Sequence, residues 1–206
     1  MNIEISEKKS FINFVKSNLK SIFIILLLLL LSFTIFFWFE YKNDNKKKKL
    51  SQEFIKAKIL LTKNKNQDAI KILEEIINEK DDTYSILSLN LLIDKNLDEN
   101  KKNITNYFDT ALKIKGIEKE DLNLLKLKKA IYISETASEQ DLLNLLNPII
   151  NSQSVWKEQS INFLADYYFS IKNFSKANQY YSELINLESP NIDYDEIKNR
   201  IKKIKQ

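Results

Sequence analysis

The chain has 206 residues with no cysteine and no histidine, one glycine and two prolines. Those absences exclude disulfides, thiol nucleophiles, zinc clusters and the usual general base near neutral pH, and a lone Gly116 leaves no phosphate-cradling loop. The net charge is +4, but residues 1–49 carry nine lysines against four acids, so the chain from residue 50 onward stands at −1 and lacks the gathered basic side chains that nucleic acid requires.

Chemistry has few other footholds. Adjacent acids such as Glu74 with Glu75, or Asp81 with Asp82, point in different directions on a helix, because neighbours in space are three or four residues apart. No catalytic residue, cofactor or metal ligand is expected, and the chain is read as a non-enzymatic, all-α protein.

Residues 1–20 read as an arm on the cytoplasmic side. Ser10 can cap a short interfacial helix whose stripe is Phe11, Val15 and Leu19 with Ile12 beside it, while Lys16 and Lys20 point away; a solvated tail is the other reading. Residues 21–41 follow as a transmembrane helix. From Ile22 to Phe39 the only polar members are Ser32 and Thr34, and such a helix rises roughly 27 Å, close to the ~30 Å hydrocarbon core. Both hydroxyls can return a hydrogen bond to a carbonyl one turn earlier. Ile22, Leu28, Phe36, Trp38 and Phe39 are the anchor residues, with the aromatics marking the headgroup level on the exit side. The run outlasts the h-region of a cleaved signal peptide, and no small-x-small cleavage pattern follows it.

Orientation is contested by the charges. Lys8, Lys9, Lys16 and Lys20 precede the span, and Lys42 and Lys46 to Lys49 follow it, which taken literally favours the C-terminal domain inside. Long domains, however, are translocated largely regardless of charge, and a short arm ahead of a first span usually stays cytoplasmic. The expected topology is single-pass, with the N-terminus cytoplasmic and the domain outside. Residues 42–49 form a basic linker, either flexible or a continuation of the spanning helix.

Residues 50–206 fall into amphipathic helices with polar breaks near 64–67, 80–82, 95–99, 115–119, 137–138, 151–154, 172–173 and 188–192. That makes about four helix pairs and a final helix. The last pair, Ser160 to Pro190, resembles the tetratricopeptide repeat, with Leu164, Ala165 and Tyr168 at the large, small and aromatic positions of its first helix and Phe174, Ala177 and Tyr181 at those of the second. Two helices approach to about 8–10 Å only where a small side chain faces the partner, the role of Ala165 and Ala177.

Ala165 has counterparts at Ala130, Ser88 and Ala57, successively 35, 42 and 31 residues earlier, near the 34-residue period of that repeat. Ala57 and Ala69 sit twelve apart, as Ala165 and Ala177 do. The third pair departs most, with Leu142 in the small position and Pro148 in its last turn, where the helix is expected to stop or kink near Asn147. The expected architecture is one transmembrane helix followed by a tetratricopeptide-like α-solenoid.

Stacked pairs form a superhelix whose concave wall is lined by first helices. In the last pair Gln159, Asn162, Asp166 and Phe169 are the candidate protein-binding groove, where an amide and an acid beside an aromatic could hold a peptide backbone; a plain solvated face is the alternative. Trp156, outside the membrane, either plugs the joint between the third and fourth pairs or anchors a partner. Of the doublets Tyr167–Tyr168 and Tyr180–Tyr181, one member each should face inward.

The order and lengths of these segments resemble the YfgM-type ancillary subunit of the bacterial SecYEG translocon. The resemblance is carried by the arm with Phe11, Val15, Lys16 and Lys20, one span, a helix ending near Lys63, and Tyr84 to Leu97 with Asp94 to Asn96. It continues through Asp121 to Ile133, Trp156 ahead of Ala165, Asp166 and Lys172, and a lysine-rich final helix with Ile197 and Asn199. It implies an inner-membrane adaptor with repeats in the periplasm, beside the translocon and membrane-anchored periplasmic chaperones, with membrane lipid and unfolded secreted chains as further partners. The residues themselves also leave open an envelope scaffold for cell-division or outer-membrane machinery, or a cytoplasm-facing assembly factor.

Overall fold

The computed structural model describes residues 16–97, 100–187 and 194–204, and every regular element among them is a helix. These are α1 (Leu19–Thr62), α2 (Asn66–Asn78), α3 (Tyr84–Asp94), α4 (Lys101–Ala111), α5 (Lys119–Ile133), α6 (Glu139–Ile150), α7 (Lys157–Ser170), α8 (Phe174–Asn186) and α9 (Tyr194–Ile204). Each expected break from 64 to 173 marks a gap between them, except that Asn66, Gln67 and Lys119 already belong to the helices that follow. Ser10, Phe11, Ile12, Val15 and Pro190 lie outside the described residues.

The chain divides into two compact units, Met1–Gln52 and Glu53–Gln206. In the first, α1 is the one helix among the described residues long and apolar enough to cross a membrane. Leu28, Phe36, Trp38 and Phe39 all present their side chains outward, as lipid-facing residues must. Ser32 and Thr34 donate to the carbonyls of Leu29 and Leu31, both at 2.8 Å, so neither hydroxyl reaches the bilayer unpaired. Residues 42–49 are helical, within α1. Lys42 places its ammonium 5.3 Å from the Trp38 ring centroid, a cation–π contact suited to the headgroup level.

In the second unit each helix from α2 onward packs on its successor, and α2 also touches α4. Contacts confined to near neighbours are what define a solenoid. Two apolar clusters result. One gathers Ala57, Ala69, Leu73, Leu89, Phe108 and Ala111; the other gathers Ala130, Leu142, Leu146, Leu164, Ala165, Tyr168, Ala177 and Tyr181. Helix α5 serves both, through Leu125 on one side and Leu127 and Ala130 on the other. Ala57, Ala69, Ser88, Ala130, Ala165 and Ala177 are all fully buried, whereas Phe174, at the first turn of α8, keeps 40% of its surface. Trp156 is half-buried against the second cluster.

The most extensive helix contacts are α7 on α8 and α2 on α3. The latter lies between the expected first and second pairs, and serines explain it. Ser85 Oγ donates to the Ile76 carbonyl at 2.8 Å and accepts from the Asp81 amide at 2.9 Å, so a small, satisfied side chain lets α3 close on α2. Ser88 Oγ is buried there without a hydrogen-bond partner.

Helix α6 does not stop at Asn147. It runs to Ile150, because Ile149 and Ile150 are buried and hold the last turn, while Pro148 and Asn144 face solvent, where the freed Asn144 carbonyl can be hydrated.

With glycine nearly absent, the helix ends are made by other residues. Asn64, Asn96, Lys80 and Lys172 all adopt positive φ, as does Gly116 at 90°. The 6→1 bonds Lys65 N to Leu60 O, Leu97 N to Leu92 O and Asn173 N to Tyr168 O then satisfy the orphan carbonyls. At the other ends Asn100 and Asn173 cap α4 and α8, and Ser138 with Asp141 forms a capping box on α6. A lysine in the left-handed region costs about 1–2 kcal/mol, partly offset by glycine's greater chain entropy.

Lys172→Gly is therefore expected to raise stability by about 0.5–1 kcal/mol. Ala165→Leu should lower it by about 1–3 kcal/mol by overpacking the α7–α8 contact. Ser88→Ala should be neutral to stabilising by about 1 kcal/mol, since it removes an unsatisfied buried hydroxyl. Thermal melts followed by circular dichroism check all three signs.

Candidate protein-binding groove

Among the described residues, clefts open between first helices of successive pairs, and three of them are lined as follows. The first lies between α1 and α3, about 390 Å³, with Lys58, Leu61, Leu91 and Lys95 on its walls. The second lies between α3 and α5, about 270 Å³, lined by Ile86, Leu87, Asn90, Asp121, Leu124 and Lys128. The third, about 480 Å³, is bounded by α5, α7 and α9 with Leu184 of α8 at its floor. Odd-numbered helices supply nearly every wall, which is where a solenoid places its ligand surface.

The third cleft brings together Gln159, Asn162 and Asp166. Phe169 is not among them. One turn beyond Asp166 the same stripe of α7 meets α8, and the Phe169 ring packs edge-on against Phe174 at 5.8 Å and Tyr181 at 6.5 Å. The apolar share of the cleft comes instead from Ile131, Phe163 and Ile197. Gln159 and Asn162 are exposed, so their amides can pair with an extended backbone.

Asp166 is fixed in place. The Arg200 guanidinium donates to its carboxylate, to the Tyr181 hydroxyl at 3.1 Å and to Glu196 at 2.8 Å. Tyr181 in turn donates to Asp166 at 2.6 Å. Burial, and then the bond to Asp166, push the Tyr181 phenol up to about 12. The Tyr181 hydroxyl first of all, and then Glu196, hold Arg200 further toward its charged form, against some burial.

The sequence shows α9 only as a lysine-rich final helix, yet in the fold its Glu196, Ile197 and Arg200 form one side of the cleft. Its signal was present in the i, i+4 spacing of Glu196 and Arg200. A second unforeseen group ties α5 to the chain entering α7. Glu120 accepts from Ser154 Oγ at 2.6 Å and from the Val155 amide at 3.1 Å, and Ser154 accepts from Asn123 at 3.1 Å. A third ties α6 to α8: Lys176 pairs with Glu139 and lies 5.1 Å over the Tyr168 ring, which stacks on Tyr180 at 5.5 Å. Lys176 holds the Glu139 carboxyl below its usual value, while burial raises the Tyr168 phenol. Among the described residues no cluster of three or more His, Cys, Asp or Glu could hold a metal ion.

A long apolar helix joined to stacked helix pairs with a line of clefts along their first helices defines the chain as a helical-repeat protein with a candidate membrane anchor. It is 37% identical over 89 residues to a protein of Buchnera aphidicola subsp. Schizaphis graminum described as an ancillary SecYEG translocon subunit. The match covers 43% of this chain and 35% of that protein, so the chain spans about a third of the relative's length. It bears out the family resemblance read from the sequence. No protein-family model matches the chain, and no solved structure matches it.

The Tyr181 geometry fixes the sign of one pH effect. A phenol whose folded-state value is raised stabilises the fold fully below its unfolded value of 10, and that contribution is lost as pH rises toward 12. Tyr181→Phe should therefore be less stable than the parent near neutrality, with the gap closing between pH 10 and about 12. A gap in melting temperature that stays constant over that window would contradict the assignment.

Proposed function

We propose that this protein is a membrane-tethered, non-enzymatic adaptor at the Sec translocon, holding polypeptide in the groove formed by its first helices. The observation that carries this reading is the run of three clefts along the odd-numbered helices, each combining apolar floor with exposed polar groups. The likeness to an ancillary SecYEG translocon subunit points to the translocon as the place where the groove works. One span anchors it in the inner membrane, and tethering raises the local concentration of the groove for chains emerging beside it.

In this reading the arm is cytoplasmic and the repeats are periplasmic, next to membrane-anchored chaperones. With lysines on both flanks, the charge bias alone does not forbid that orientation, because long domains are translocated largely regardless of charge. The groove residues are Gln159, Asn162 and Asp166 with Ile131 and Phe163, and Trp156 stiffens the joint above them.

Two measurements test this. A compartment-specific reporter fused after Gln206 should be active only in the periplasm; activity in the cytoplasm would leave the repeat fold standing and remove the periplasmic assignment. Crosslinking in native membranes should recover translocon and chaperone subunits with the full-length chain. Recovery of cell-division or outer-membrane assembly proteins in their place would point to an envelope scaffold.

A further inference from the structure

We propose that one face of α1, just past its apolar run, is a binding site for the headgroups of anionic phospholipids, an inference that rests on reading α1 as the membrane span. Helical spacing sets the face. Trp38, Lys42, Lys46 and Lys49 follow one another at intervals of four, four and three residues within α1, so they share one stripe. Glu40 and Asp44, the carboxylates among residues 40–52, each stand two residues from Lys42, about 200° around the helix and so on its opposite side. Lys47 and Lys48 come three and four residues after Asp44 and flank it there. The next carboxylate on the lysine stripe, Glu53, is bonded to Lys56 at 3.1 Å. The excess of cationic charge therefore lies on one side of the helix.

Backbone geometry aims this stripe at the bilayer. Side chains on a helix lean toward its N-terminus, which for the part of α1 beyond Phe39 is the membrane side. Lys42 shows the lean, with its ammonium 5.3 Å from the centroid of the Trp38 ring one turn nearer the bilayer. At about 1.5 Å per residue Lys42 stands roughly 4–5 Å beyond Phe39, inside the headgroup layer. Lys46 and Lys49 stand roughly 10 and 15 Å beyond it, and their long stems let the charges reach back. Trp38, itself 58% exposed, holds the depth, because its ring settles at the headgroup level. Lys42 and Lys49 are both exposed. An ammonium is a compact point charge suited to a phosphate, and several on one stripe favour a lipid of net negative charge over a zwitterionic one.

The experiment reconstitutes the full chain in phosphatidylcholine vesicles containing phosphatidylglycerol, with bromine on the acyl chains of one lipid or the other at equal mole fraction. Trp156→Phe leaves Trp38 as the sole tryptophan, and its quenching reports which lipid lies beside it. At low salt brominated phosphatidylglycerol should quench about threefold more strongly than brominated phosphatidylcholine, and high salt should remove most of that preference. Lys42→Gln with Lys49→Gln should lower the ratio to about 1.5 or less. Lys47→Gln with Lys48→Gln removes the same charge from the other side of the helix and should leave the ratio at about two or more. Equal falls in both variants would overturn the one-sided site in favour of a diffuse basic collar. A ratio of one before these substitutions would overturn the lipid preference and leave the span standing, whereas no quenching by either lipid would overturn both. Spin-labelled analogues of the two lipids, read with the unaltered chain, make the same comparison without any substitution, and equal immobilisation of the two would also overturn the proposal.

Discussion

The close approach of helices at small side chains is the constraint on which the rest of this structure depends. Ala57, Ala69, Ser88, Ala130, Ala165 and Ala177 are fully buried, and at each a bulkier residue would push two helices apart. Leucine, isoleucine and tyrosine fill the space between these contacts, as Leu73 and Leu89 do in one cluster and Tyr168 and Tyr181 in the other. Among the described residues the helices from α2 onward pack mainly on their chain neighbours, so the apolar clusters follow the chain and clefts open along the first helices.

Polar ties then fix the angle at which pairs meet. Glu120, Ser154 and Asn123 join α5 to the entry of α7, Lys176 and Glu139 join α8 to α6, and Arg200 joins α9 to Asp166 and Tyr181. Partial burial strengthens such ties and makes each costly to leave half-made. The last of them has a functional side. In supplying Glu196, Ile197 and Arg200, α9 stands where the first helix of another pair would stand and completes the third cleft.

Much of the architecture was legible because helices that stack on neighbours repeat their small residues at intervals that average near 34 residues. The spacing of Ala57, Ser88, Ala130 and Ala165, and the polar breaks between apolar stripes, place the helices correctly. What escaped depends on which element lies opposite a residue, and periodicity does not carry that. Phe169 shares a stripe with Asp166 but meets α8 instead of open groove, and Phe174 sits at a helix start with one side uncovered. Pro148 stays helical because the core grips the two isoleucines after it. The turns at Lys80 and Lys172 were invisible as left-handed positions, since lysine carries no propensity for them.

The most direct measurement is site-specific photo-crosslinking in intact cells, with the probe placed at Asn162 in the third cleft or at Gln179 on the exposed face of α8. The account predicts that Asn162 yields crosslinks to polypeptide clients and translocon subunits, and that Gln179 yields few. Equal labelling from both positions, or labelling from Gln179 alone, would contradict a groove that works through its first helices.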